Sequence, residues 1–330
     1  MKKSALVTGV SGQDGAYLSR LLLEKGYTVY GLLQRSTRYA FANLDYLGVT
    51  ADVDFVDGDL TDEASLINAV CRTRPDEIYN LAAQSFVGTS WDQPILTTEI
   101  NAVGTMKLLE AAKRHAPQAK FYQASTSEMF GNCHQDGLQT EETPFHPRSP
   151  YAISKLCAYW IVNNYRESYG MFCVNGILFN HESPIRGKEF VTRKISHNVA
   201  KIKLGLSERF GLGNLDSTRD WGFAGDYVEA MFLIMHQDVP ENFIVSTGET
   251  HSIRDFLTVA FNHVGIPDWE KHVYVDPAFK RPAELFSLKG SSRKAQEKLK
   301  WTPKVKFEEL VRMMVDADLE RLRNTNKVNR

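Results

Sequence analysis

At 330 residues the chain is long enough for roughly two domains, or one large domain carrying a lobe, with ample core. Hydrophobic residues at 43% and charged residues at 24% exclude a disordered, collagen-like or coiled-coil chain. Lys plus Arg number 39 against 40 Asp plus Glu, so no global field recruits nucleic acid or an anionic membrane, and an anionic ligand must be held by local cations.

In chain order, Ser4 to Thr8 reads as a buried strand and Gly15 to Lys25 as a helix, with Leu18, Leu21 and Leu22 on one face and Gly26 as its stop. Thr28 to Leu33, Val53 to Val56, Glu77 to Ala82 and Phe121 to Ser125 supply four more strands, mostly separated by helical patterns. This alternation predicts an α/β fold, a Rossmann-type doubly wound parallel sheet with ligands at the strand C-termini. Beyond about residue 180 the pattern is irregular, with a strand-like Asn242 to Ser246 and a closing amphipathic helix around Phe307 to Arg323. We expect a nucleotide-binding domain over 1–180, with returning segments at about 218–248 and 286–300. A smaller α/β substrate lobe then takes about 181–217, 249–285 and 301–330.

The four cysteines, Cys71, Cys133, Cys157 and Cys173, form neither a CxxC pair nor a disulfide framework, and they predict a cytoplasmic protein. The N-terminal apolar run is too short for a signal peptide, and no segment reaches the roughly 18 apolar residues of a membrane helix. His115, His236 and His263 lack ligand partners at metal spacing and read as packing or solvent-facing residues, so no metal is expected. Trp91, Trp160 and Trp221 read as core anchors.

Between the first strand and helix lies Gly9-Val10-Ser11-Gly12-Gln13-Asp14-Gly15. Glycines at this turn let a pyrophosphate approach the free N–H groups of a helix N-terminus, and the strand-turn-helix context marks a dinucleotide site. Where an acidic residue would hold the ribose 2′-hydroxyl of NAD, the chain has Gln34-Arg35-Ser36. A guanidinium without a carboxylate favours NADP, the alternative being that Arg35 is a solvated loop cation. Asp59 and Leu60 follow the third strand, where a loop meets adenine. Leu81, Ala82 and Ala83 end the fourth, where small side chains admit the nicotinamide ribose.

Ser149-Pro150-Tyr151-Ala152-Ile153-Ser154-Lys155 starts a helix, with Ser149 as N-cap and Pro150 at the first helical position. Tyr151 and Lys155 share a face one turn apart, where an ammonium would lower the phenol toward the range useful for proton transfer. At the end of the fifth strand stands Ser125-Thr126-Ser127-Glu128. If it stays extended, Thr126 and Glu128 face one side. Thr126 can donate to a sugar oxygen becoming a carbonyl. Glu128 supplies what simple alcohol oxidation does not need and a 4,6-elimination does: a base for the C5 proton and an acid for the departing 6-hydroxyl. It reads otherwise as a surface carboxylate closing a loop.

Together with Asn80 to Val87, Asn180-His181-Glu182-Ser183-Pro184, Phe190-Val191-Thr192-Arg193-Lys194 and Arg219 to Tyr227, these motifs resemble the extended short-chain dehydrogenase/reductases and, among them, the GDP-mannose 4,6-dehydratase family. The resemblance covers nearly the whole chain. It places the family's catalytic residues on Thr126, Glu128, Tyr151 and Lys155. It implies tightly held NADP, which oxidises C4 while Tyr151 takes the hydroxyl proton; Glu128 then removes the C5 proton, water leaves from C6, and the stored hydride returns there. The product is GDP-4-keto-6-deoxymannose. His181 and Arg186 would lie near the cofactor, and Ser85 near both the cofactor and the hexose. Asn180, Val191 and Lys194 would approach the nucleotide, Arg219 and Arg281 its pyrophosphate, and Glu284 its ribose or base. Arg219 and Arg281 read alternatively as ion-pair partners of Asp220 and Glu284, and the His181 motif as a strand-to-loop turn. The family's loop after the second strand carries two arginines before Ser-Ser and reaches toward a neighbouring subunit; here it reads Gln34-Arg35-Ser36-Thr37. A homo-tetramer or dimer is implied. Alternatives on the same scaffold are a dehydratase of a related GDP-sugar such as GDP-manno-heptose, and a 4-reductase or epimerase.

Overall fold

The computed structural model describes residues 2–36, 41–132, 137–279 and 287–328. The first six strands are β1 (Ser4–Thr8), β2 (Thr28–Leu33), β3 (Val53–Asp57), β4 (Glu77–Asn80), β5 (Lys120–Thr126) and β6 (Cys173–Leu178). Later come β7 (Asn180–Glu182), β8 (Phe210–Leu212), β9 (Thr218–Arg219), β10 (Trp221–Phe223), β11 (Phe243–Val245), β12 (His251–Ser252), β13 (Val273–Val275) and β14 (Ser287–Leu288). Seven of them form one parallel sheet in the order β11-β6-β5-β4-β1-β2-β3. The chain runs outward from β1 to β3 and returns to pair β4 beside β1, so the strand order reverses between these two, where doubly wound sheets open a ligand crevice.

Helices α1 (Gln13–Glu24), α2 (Ala42–Leu47), α3 (Glu63–Thr73), α4 (Val87–Asp92), α5 (Pro94–Thr98), α6 (Gly104–His115) and α7 (Pro150–Tyr169) interleave with these first strands. They are followed by α8 (Val191–Lys203), α9 (Ala224–Met235), α10 (Ile253–His263), α11 (Arg293–Leu299) and α12 (Phe307–Val328). The near-continuous apolar strands are explained by burial on both faces. Val7, Tyr79, Tyr122 and Val174 pack with α1, α9 and α11. Their chain neighbours Leu6, Ile78, Phe121 and Cys173 point the other way, onto α3, α6 and α7. A separate core of Ile195, Val199, Phe210, Phe256, Trp269, Phe307 and Met314 joins α8, α10 and α12 to the β8–β13 pair.

Of the boundaries that differ from the sequence reading, three shape the site. Helix α1 begins at Gln13 rather than Gly15, because Gly12 is already its extended N-cap. Strand β4 ends at Asn80 rather than Ala82: the N–H groups of Leu81 and Ala82 both donate to Thr8 Oγ1 at 3.0 Å, which takes them off the ladder. Strand β5 does not stay extended through Glu128, since a 3-10 turn, Ser127–Phe130, starts directly after Thr126. Of the three tryptophans expected in the core, Trp221 is 3% exposed, but Trp91 is 37% and Trp160 57% exposed. Trp160 falls on the outer side of α7, in register with Ile153 and Cys157 at helical spacing.

Candidate active site

The turn between β1 and α1 is built by backbone. Gly9 has φ +67°, and a Cβ there would lie 2.8 Å from the Ala82 nitrogen; one on Gly15 would lie 2.2 Å from Gly9 O. The glycines therefore press the turn against the exit of β4. Gly12 offers no side-chain cap, so the first N–H groups of α1 open on a cavity of about 1240 Å³ that runs along the C-terminal ends of β1, β4 and β5. That volume exceeds the roughly 300–1,000 Å³ of a site for one small ligand.

The first turn of α1 is clasped to β7. Gln13 Nε2 donates to His181 O at 3.1 Å, and Ser183 Oγ donates to Gln13 Oε1 at 2.8 Å. His181 Nε2 lies 2.8 Å from Asp14 Oδ2, Nδ1 lies 2.7 Å from Phe179 O, and the ring stacks on Tyr227. Burial opposes charge on both partners, but their attraction and hydrogen bond outweigh it, raising His181 and lowering Asp14.

On the facing wall, the Ser149 hydroxyl caps α7 by accepting from Ala152 N at 3.1 Å, and Pro150 occupies the first turn. Tyr151 and Lys155 thereby enter the cavity from one helix face. Thr126, the cap of the 3-10 turn, accepts from Glu128 N at 3.2 Å, and this local bond keeps Thr126 and Glu128 on the same cavity wall although the strand has ended. The expected lowering of the phenol is not found. Burial pushes Tyr151 up to about 12, against a hydrogen bond from Thr126, with the Glu128 carboxylate adding to the rise. Lys155 Nζ donates to Ala124 O at 2.9 Å, and burial lowers it to about 8. Its charge is thus aimed at a carbonyl.

Gly9, Gly12, Gln13, Asp14, Gly15, Leu81, Ala83, Ser85, Asn180, His181, Arg186, Val191, Lys194 and Arg219 all line the same cavity. Arg35, Ser36, Asp59 and Leu60 do not. Leu60 is core, 5% exposed, and Asp59 accepts from Thr61 and from Gln34 Nε2. Arg35 is exposed at the end of β2. Arg281 and Glu284 lie outside the described residues, as do Thr37 and Cys133. Asp220, the alternative partner of Arg219, accepts from the backbone and hydroxyl of Thr247 and from Gly248 N.

The sequence reading missed Trp91, Lys188, Asn214 and Phe279, all of which line the cavity. Phe279 carries Lys194 Nζ 3.3 Å above its ring. These residues come from segments far apart in the chain, with no local periodicity to mark them. Among the described residues no group of three or more His, Cys, Asp or Glu is disposed to hold a metal, and no helix is long and apolar enough to cross a membrane.

A family model described as GDP-mannose 4,6 dehydratase matches residues 6–314. GDP-mannose 4,6 dehydratase 1 of Arabidopsis thaliana is 50% identical over 329 residues, covering 97% of this chain and 90% of its own. Among solved structures, the UDP-glucose 4-epimerase of Thermus thermophilus in complex with NAD superposes with a TM-score of 0.84 at 30% identity, over 96% of this chain and 98% of that one. RMD from Pseudomonas aeruginosa, complexed with NADPH, superposes at 0.81 and 25% identity, over 97% and 100%.

Proposed function

The chain belongs to the GDP-mannose 4,6-dehydratase family and is a hydro-lyase acting on GDP-mannose, and from that premise we propose that Thr126, Glu128, Tyr151 and Lys155 carry the reaction with a resident NADP. The observation that carries this reading is the convergence of these four side chains and the open N-terminus of α1 on one cavity. The cavity fits a dinucleotide: α1 has no side-chain cap to compete for its first N–H groups, and a Cβ on Gly12 would project into the cradle with only Gly9 O, at 3.1 Å, in contact. When bound, the oxidised dinucleotide would supply a hydride acceptor for C4 and a positive charge that favours the phenolate of Tyr151, which burial alone holds up at about 12.

Tyr151 Oη takes the proton of the C4 hydroxyl, and Thr126 Oγ1 orients that oxygen as it becomes a carbonyl. The C4 ketone makes the C5 proton acidic. Glu128 removes it and returns a proton to the 6-hydroxyl, which leaves as water. The hydride lost from C4 would be regained at C6 and the proton held by Tyr151 would pass to C5, so net oxidation is zero and the product is GDP-4-keto-6-deoxymannose. Arg186, with the backbone N–H groups of the turn from Gly9 to Gly15, would hold the dinucleotide, and Lys194, Arg219 and Arg281 the GDP moiety, since guanidinium matches phosphate oxygens. NADP rather than NAD rests on Arg35 and on the absence of a carboxylate in Gln34-Arg35-Ser36. The solved neighbours hold NAD or NADPH, which supports a nicotinamide dinucleotide of either kind.

We further propose a homo-oligomer, dimer or tetramer, joined in part through the exposed apolar residues Ile153 and Trp160 of α7 and Ile95 and Leu96 of the neighbouring α5. A cytosolic location accords with the free thiols of Cys71, Cys157 and Cys173. Mass spectrometry of purified protein incubated with GDP-mannose and no external reductant tests the reading. Loss of one water supports the self-contained cycle. An unchanged sugar with NADP bound moves the assignment to another GDP-sugar or to a reductase or epimerase.

A further inference from the structure

His181 occupies an unusual electrostatic position. Its Nδ1 faces the Phe179 carbonyl at 2.7 Å and its Nε2 faces the Asp14 carboxylate at 2.8 Å. Neither a carbonyl nor an ionised carboxylate has a proton to give, so the two contacts are satisfied together by the imidazolium form, which the Asp14 carboxylate favours. It is 9% exposed and stacked on Tyr227. Asp14 in turn sits in the first turn of α1, among the N–H groups that open on the cavity. A carboxylate there favours the helix on its own but repels any anion brought to the same N–H groups.

The geometry points to a charge-balancing role: His181 neutralises Asp14 so that the N-terminus of α1 keeps an acidic first-turn residue and still accepts the dinucleotide pyrophosphate. This inference rests on the dinucleotide reading of the cavity. In it His181 is a positioning residue whose effect passes through Asp14, and its task is to cancel a charge. The arrangement also links the two halves of the site. Gln13 and Asp14 are tied to β7, and β7 pairs residue for residue with β10, two residues beyond Arg219. Arg186, whose charge also reaches Asp14, lies in the loop following β7.

The experiment measures NADPH binding by fluorescence titration of the purified protein, as wild type, His181→Phe, Asp14→Asn and the double variant. Phenylalanine retains the stack on Tyr227 and removes the charge. His181→Phe strands the Asp14 carboxylate and is expected to weaken NADPH by about tenfold or more. Adding Asp14→Asn is expected to restore binding to within about threefold of wild type. Asp14→Asn alone is expected to bind at least as tightly as wild type. A double variant as weak as His181→Phe would overturn the inference, because the histidine would then act by direct contact or packing. So would undiminished binding by His181→Phe. If His181→Phe does not fold, Asp14→Asn still decides: loss of about tenfold in NADPH affinity would make Asp14 a ligand and reject charge balancing. A wild-type protein that binds neither NADPH nor NADH would instead remove the dinucleotide reading.

Discussion

At the scale of single residues, Glu128 separates elimination from plain alcohol chemistry. Replacing it by Gln retains the shape of the wall and the cap from Thr126, while removing the proposed base. Water loss from GDP-mannose is expected to fall by about 10²- to 10⁴-fold with dinucleotide binding intact, as read by turnover and titration. Lys155 invites the opposite kind of test. It is 4% exposed, and burial lowers it to about 8, so the fold bears a desolvation cost whenever the ammonium is charged. Between that value and the ordinary 10.5, the unfolded chain binds more protons than the folded one, and this contribution makes stability rise with pH across the window. Lys155→Met is expected to keep or raise Tm at pH 7 while turnover collapses by roughly 10²-fold. The Tm gap should narrow as pH climbs from about 8 to about 10.5. A variant several degrees less stable at pH 7 would show that the bond to Ala124 O outweighs the buried charge.

Among the secondary-structure elements, Thr8 has a reach out of proportion to its size. Its hydroxyl donates to Asn80 Oδ1 at 2.8 Å and accepts the N–H groups of Leu81 and Ala82, fixing the point where β4 leaves the sheet. The glycine turn packs against that same exit. Thr8→Val keeps the volume but leaves two N–H groups without their acceptor, at about 1–3 kcal/mol for each that stays dry. Denaturant unfolding should show a loss of about 2 kcal/mol or more, accompanied by weaker dinucleotide binding. Stability lost without any change in binding would mean that the cavity tolerates movement of the β4 exit.

For the molecule as a whole, the second core, where α8 and α12 pack together, is braced by a buried ion pair. Arg193 on α8 donates through Nε and Nη2 to Asp318 on α12, and through Nη1 to the carbonyls of Pro184 and Arg186. Asp318 is 1% exposed and also accepts from Ser196. Asp318→Asn would leave a buried guanidinium facing an amide, a loss of about 3 kcal/mol or more in denaturant unfolding. Because Arg193 also supports the loop that carries Arg186, GDP-mannose turnover is expected to fall with it. Assembly belongs to this scale too. Trp160→Arg puts a charge into the apolar stripe of α7 and is expected to shift the protein toward monomer in light scattering. An unchanged mass would remove α7 from the interface.

Much of this protein was legible in one dimension because the relevant physics is local. The glycine turn, the Ser149 cap, the one-turn spacing of Tyr151 and Lys155 and the apolar strand runs each depend on neighbours within a few residues, and each stands near where the pattern put it. Tertiary structure decided what depends on distant groups. The end of β4 is set by a hydroxyl 72 residues upstream of the Asn80 it binds, which periodicity cannot register. The phenol of Tyr151 goes up rather than down, because burial is a property of the assembled cavity and Lys155 donates its bond to Ala124. Leu60 disappears into the core, and Trp91 and Phe279 enter the cavity, for the same reason. Sequence specifies which groups are available and how adjacent ones are phased; only the packed fold sets the dielectric around them and the company they keep.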